Sequence, residues 1–222
     1  MDHVERAAAE RRRKELLRIE IEPALDQRWD DALRELQSHS LDVAAARALV
    51  RAGDLRIARE LIANDEELRR RFMALSGEDP TAGDVPLRTV EWQEDSPPAD
   101  FVEDFVDAVL GAAPDAARGR LLLRPCLKPE WTRGSFHNIR VGDGLVRLSY
   151  ERIGENLRFT IVQTAGAYPL RLIFEPVLTA APRYAFVDGK PAVLDVRAHT
   201  SGTIVPVQIM LDEEREVAFD MG

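Results

Sequence analysis

The sequence predicts an α+β protein, with a small N-terminal α-helical region and a C-terminal antiparallel β-sandwich. Three observations carry this. Residues 114–222 run through about eight short apolar/polar alternations separated by Gly, Pro and Asp turns, the period of half-buried strands. Residues 1–75 lack that alternation and are rich in Ala, Leu, Glu and Arg, all strong helix formers. Charge divides the same way: residues 1–113 hold 16 Lys/Arg against 26 Asp/Glu, and residues 114–222 hold 14 against 13. The organisation expected is a helical region at 1–75, an acidic Pro/Gly linker at 76–98, and a helix with a β-sandwich at 99–222.

The N-terminal stretch reads as helix from residue 3 to about residue 38, broken or restarted at Pro23. Arg11, Arg12, Arg13 and Lys14 form its basic cluster. They suit an anionic lipid surface or an acidic protein, or else a solvated helix face balanced by Glu10, Glu15 and Glu20. Leu25, Trp29, Leu33 and Leu36 recur at helical spacing, which makes Trp29 a core or interface anchor. Ser40 is a plausible cap for a helix at 41–52, Asp54 for one at 55–63, and Asn64 or Asp65 for one at 66–75.

Gly77, Pro80, Gly83, Pro86, Pro97 and Pro98 then punctuate an acidic stretch with one short strand expected at 85–92. Trp92 in such a segment is expected to dock on the protein. Phe101, Val102, Phe105, Val106, Val109 and Leu110 mark one face of a helix closed by Gly111. The strands expected after it are 120–124, a hairpin of 131–142 and 144–153 turning at Gly142-Asp143-Gly144, then 157–161, 170–175, 184–187, 192–196, 203–211 and 216–219.

Chemistry-bearing motifs are sparse. A single cysteine, Cys126, excludes an internal disulfide and a multi-cysteine metal site, and reads as a small buried residue. His3, His39, His137 and His199 show no metal-ligand spacing. Ser135-Phe136-His137 and His199-Thr200-Ser201 place hydroxyls beside imidazoles, but neither serine sits in a nucleophile-elbow sequence. No catalytic residue, cofactor site or metal site is predicted. The net charge of −9 disfavours nucleic acid as a partner. No apolar run reaches the roughly 18 residues of a membrane span, and no signal peptide is read at the N-terminus, so a cytoplasmic protein is expected. Trp92, Trp131, Tyr150, Tyr168 and Tyr184 could stack on sugars if they shared a face; core and turn packing is preferred.

Phe101-Val102-Glu103-Asp104-Phe105-Val106, Leu110-Gly111, Pro114-Asp115-Ala116-Ala117, Arg120-Leu121-Leu122-Leu123-Arg124-Pro125 and Glu130-Trp131 together resemble a known junction. It is the point where the last helix of an (α/α)6-barrel glycosidase of the glycogen-debranching or maltose-phosphorylase type enters its C-terminal β-sandwich. Ile139 to Asp143, Leu170 to Pro176, Val187 to Ala192 and Val205 to Gln208 extend the resemblance over residues 99–222. It implies an accessory domain whose catalytic barrel is absent, since about 100 residues cannot build six pairs of helices. As a whole, the chain also resembles a membrane-extrinsic extra subunit of a bacterial photosynthetic reaction-centre and light-harvesting complex, in overall character rather than by motif. That implies a peripheral place on the cytoplasmic face of the inner membrane. The function expected is a non-catalytic structural or assembly subunit that binds other proteins, through Arg11, Arg12, Arg13, Lys14, Trp29 and Trp92. The alternative is a carbohydrate-binding module; a glycan is possible but not favoured.

Overall fold

A computed structural model describes residues 14–38, 42–57, 59–79, 81 and 87–222, with backbone only at 59 and 60. The chain is α+β. After helical residues 14–15, the described elements run β1 (Arg18–Glu20), α1 (Pro23–Ser38), α2 (Val43–Arg51), α3 (Arg59–Asn64) and α4 (Glu66–Ser76). Of the helix expected to run through to residue 38, residues 3–13 lie outside the described residues. Residues 14 and 15 are helical, β1 then interrupts, and helix resumes at Pro23, the restart its proline predicts. Ile19 is buried between exposed Arg18 and Glu20. This short alternation finds a ladder in β4 (Arg133–Val141), with Ile19 opposite Phe136, and the pairing outweighs local helix propensity.

Leu25, Trp29, Ala32, Leu33 and Leu36 form the buried stripe of α1, as their spacing predicts. The cap of α2 is Asp42, whose carboxylate accepts from Ala45 N; the expected cap Ser40 lies outside the described residues. Asp54 caps no helix at 55–63. It accepts from Arg56 N at 2.8 Å in a local turn, and α3 starts only at Arg59. Asp65 caps α4 as expected, accepting from Leu68 N, and Gly77 closes it in the left-handed conformation. Of the strand expected at 85–92, residues 87–92 are not extended into a sheet, and 85–86 lie outside the described residues.

Helix α5 (Pro98–Phe105) starts on a proline and passes into a π-helical turn at Val106–Leu110. Gly111 ends it at φ 60°, where an added Cβ would collide with the Arg124 carbonyl. Gly111 N donates to Val106 O, and Arg124 N donates to Gly111 O, so the turn fastens the helix to the sheet. Gly111→Ala is expected to lower stability by about 1–3 kcal/mol from backbone strain, with the clash adding to it. Urea denaturation measures this, and an unchanged midpoint would refute it.

Among the described residues, thirteen further strands follow or flank this junction: β2 (Ala112–Asp115), β3 (Arg120–Leu123), β4, β5 (Gly144–Ile153), β6 (Asn156–Ala165), β7 (Leu170–Phe174), β8 (Val177–Leu178), β9 (Tyr184–Val187), β10 (Lys190–Pro191), β11 (Arg197–His199), β12 (Gly202–Ile204), β13 (Val207–Leu211) and β14 (Glu214–Asp220). They form a seven-stranded sheet β1-β4-β5-β6-β14-β9-β10, a four-stranded sheet β13-β7-β3-β2 and a three-stranded sheet β11-β12-β8. Among the described strands pairing is antiparallel except for β3 with β7, which run parallel, and an isolated parallel bridge joins Cys126 to Val177. Two expected strands change. Residues 192–196 leave the sheet after Ala192 N bonds Ala185 O, and Val193 is 89% exposed. The strand expected at 203–211 divides into β12 and β13 around Val205-Pro206, because proline has no N–H for the ladder.

Asn138 sits at φ 62° in a bulge of β4, where the register with β5 slips between Phe136 and Ile139. A bulge of this kind re-aims a side chain out of the ladder. The Asn138 amide donates to Lys14 O at 2.9 Å and Leu16 O at 3.1 Å, holding the chain just before β1. The buried side chains of helices and sheets form one contiguous cluster. Aromatic rings trace it from Trp29 to Phe105, Phe136, Tyr150 and Phe159. The two larger sheets meet where Phe159 on β6 packs edge-on against Phe174 on β7, centroids 4.9 Å apart, a favoured aromatic geometry.

Candidate interaction site

Residues 87–97 form a strap across α5. Trp92 lies against Phe101, Phe105 and Trp131 with centroids 5.7, 5.3 and 6.2 Å away. Lys128 Nζ sits 5.1 Å from both the Trp92 and the Trp131 ring and pairs with Glu94 at 3.2 Å. The ring faces attract the ammonium, so the lysine holds the strap to the loop that leads into β4. Arg28 on α1 donates to Ser96 O at 2.7 Å. At the other end Arg88 donates through Nε to Asp107 at 2.6 Å and pairs with Asp104 and Glu103. Asp107 also holds Arg51 from α2, and Glu103 holds Arg71 from α4 at 2.7 Å.

Arg51 and Asp107 are 5% and 2% exposed at their side chains, so the buried guanidinium relies on Asp107 for a counter-charge, while Asp107 also has Arg88. Burial lowers the pKa of Arg51 against the pull of Asp107. For Arg88, burial opposes the charge, but the hydrogen bond to Asp107 and the neighbouring carboxylates outweigh it and raise its pKa.

The residues singled out from the sequence do not gather in one place. Arg11, Arg12 and Arg13 lie outside the described residues. Lys14 is exposed, and its backbone carbonyl is tied to Asn138. Trp29 is wholly buried and donates through Nε1 to Leu17 O at 2.9 Å. It is a core residue, which corrects its place among the interaction candidates. Trp92 is half-buried and docked, as its linker position led one to expect. Trp131 and Tyr150 are buried too, so neither is a sugar platform; burial also pushes the Tyr150 phenol well above its usual pKa. Tyr168 and Tyr184 are the exposed members of that set.

Three features had little or no sequence signal. On the outer face of the seven-stranded sheet, His137 Nε2 lies 3.0 Å from Ser135 Oγ and 3.1 Å from Glu20 Oε2, while Arg18 pairs with Glu20 at 2.9 Å. Strand alternation puts Ser135 and His137 on one face, but Glu20 arrives on β1, a strand the sequence disguises. Burial opposes its charge, yet the hydrogen bonds from His137 and Ser135 and the Arg18 guanidinium hold the Glu20 carboxyl below its usual pKa. Serine and carboxylate share one ring nitrogen here, whereas a proton relay needs one on each.

A second feature is a polar cleft of ≈ 100 Å³ between the strap, the π-helical turn and the loop at 199–201. Cys126 lines it, hydrogen-bonded to Ser201, with burial raising the thiol pKa and so disfavouring the reactive thiolate. The third is an apolar groove of ≈ 360 Å³ lined by Leu55, Ile57, Ile62, Phe72 and Met73, with Arg69 and Glu78 also along it. Among the described residues, no three His, Cys, Asp or Glu side chains are grouped to hold a metal ion, and no helix is long and apolar enough to cross a membrane.

No protein-family model matches the sequence, and no curated protein matches it. Three solved structures with partial likeness are glycosidases. A Flavobacterium johnsoniae GH31 dextranase complexed with isomaltotriose aligns over 46% of this chain and 16% of its own, at 10% identity and TM-score 0.35. The same dextranase complexed with glucose covers the same shares at 9% identity and TM-score 0.33. A GH127 beta-L-arabinofuranosidase from Geobacillus stearothermophilus aligns over 81% of this chain and 31% of its own, at 13% identity and TM-score 0.36. The aligned part thus spans less than a third of each of these enzymes.

Proposed function

We propose that this chain is a non-catalytic structural or assembly subunit that binds other proteins. The observation that carries the reading is the apolar groove beside α3 and α4. Among the described residues its lining is predominantly apolar, with Arg69 and Glu78 as the charged members, a composition suited to seating a protein segment. In the finer form of the proposal, residues 99–222 are a helix and β-sandwich of glycosidase accessory type, without the barrel. The assembly is a bacterial photosynthetic reaction centre held within its light-harvesting ring, with this subunit peripheral on the cytoplasmic face of the inner membrane. The whole-chain resemblance noted from the sequence supports that finer form.

The experiment is affinity purification of the tagged full-length chain from its source cell, followed by native mass spectrometry. A stable complex of defined mass is expected, and the finer form expects it to co-purify with pigmented membranes. A complex without pigment would retain the assembly role and remove the photosynthetic one. A monomer with no stable partner would overturn both. The carbohydrate-binding alternative has one observation in its favour: Tyr184, 55% exposed, lies beside Phe186 on β9, centroids 6.5 Å apart. Silence on a glycan array would remove it.

A further inference from the structure

The polar cleft beside the π-helical turn is lined by several side chains that carry hydrogen-bond donors. Arg88 uses Nε and Nη2 on Asp107, Asp104 and Glu103, and Arg124 uses Nε and Nη2 on Glu175. Among the described residues, neither Nη1 has a hydrogen-bond partner, and both arginines line the cleft. His199 accepts at Nδ1 from Ser201 N at 3.2 Å, which leaves its ring proton on Nε2 as a further donor. Thr89 and Thr200, which carry hydroxyls, also line the cleft. The carboxylate lining the cleft, Asp107, has both oxygens engaged, Oδ1 by Arg51 and Oδ2 by Arg88.

Five donor-bearing side chains line a space of ≈ 100 Å³. That is below the roughly 300 Å³ at which pockets for drug-sized ligands begin, so the occupant is a small group. A carboxylate offers about four lone-pair sites on two oxygens, fewer than the donors present. A tetrahedral oxyanion offers more, directed to all sides. We infer that this cleft binds a phosphate group, through Arg88, Arg124 and His199 with Thr89 and Thr200 at its rim. The site stands apart from the apolar groove, so it holds or fails independently of the assembly role.

Titration of the full chain with inorganic phosphate, followed by ³¹P NMR linewidth, tests it. Saturable broadening is expected. The double variant His199→Ala/Thr200→Val should weaken it at least about tenfold, with the thermal midpoint unchanged. Arg124→Lys, which keeps a cation for Glu175 while losing the guanidinium fork, should also weaken it. Co-sedimentation with phosphatidic acid vesicles, but not with phosphatidylcholine vesicles, and its loss in the double variant, would assign the phosphate to a lipid headgroup. Binding of inorganic phosphate alone would assign it to the free ion. Non-saturable broadening without vesicle binding, or equal responses from wild type and double variant, would overturn the inference.

Discussion

Phe105→Ala is expected to cost about 3–5 kcal/mol, among the largest single losses available in this chain. Phe105 has no exposed surface and stands at the last turn of α5, just before the π-helical turn. Its ring touches three separate parts of the fold: Trp29 on α1 at 5.2 Å, Trp92 of the strap at 5.3 Å, and Phe136 on β4 at 6.3 Å. Truncation opens a cavity where helix, strap and sheet meet, and each lost aromatic pair adds about 0.5–1.5 kcal/mol beyond area burial. At about 2–4 °C per kcal/mol for a chain of this size, the thermal midpoint should fall by roughly 6–20 °C. Phe105→Leu refills part of the space and should recover more than half. If alanine costs no more than leucine, the ring contacts are not what holds the strap and α1 to the sheet.

Much of the framework was legible from the sequence because its signals are local and repeated. The stripe of Leu25, Trp29, Leu33 and Leu36 marks one face of α1, and Val146, Leu148 and Tyr150 mark the buried face of β5. Gly142-Asp143 turns the β4–β5 hairpin where expected. What escaped depends on partners far away in the chain. β1 is three residues long, and only the edge of β4 makes it a strand. The parallel pairing of β3 with β7 leaves no trace in either segment.

The candidate sites show the same limit. Arg51, Arg71, Arg88 and Asp107 come from α2, α4, the strap and the π-helical turn, and each alone reads as an ordinary surface charge. Trp29 carried a clear sequence signal, but its period could not say whether the ring faced the core or a partner. Its indole N–H, bonded to Leu17 O within the fold, shows which.

Removing Asp107 should be as costly as removing Phe105, for an electrostatic reason. Asp107→Ala leaves the Arg51 guanidinium buried without its carboxylate and takes the Nε partner from Arg88. Breaking a buried pair from one side costs about 3–5 kcal/mol, because the remaining charge stays desolvated. Arg51→Met should cost less, since Arg88 still neutralises Asp107 across the 2.6 Å bond. The double variant Arg51→Met/Asp107→Ala removes both buried charges and leaves Arg88 with Glu103 and Asp104. It should regain about 1–4 kcal/mol relative to Asp107→Ala, as apolar replacements of buried ion pairs do. Urea denaturation of the four proteins closes a double-mutant cycle and reads the coupling directly. Strict additivity would mean that the two groups do not depend on each other. A large coupling would mean that the strap's anchor and the packing of α2 share one buried carboxylate, so that displacing residues 87–97 also loosens the helices beneath them.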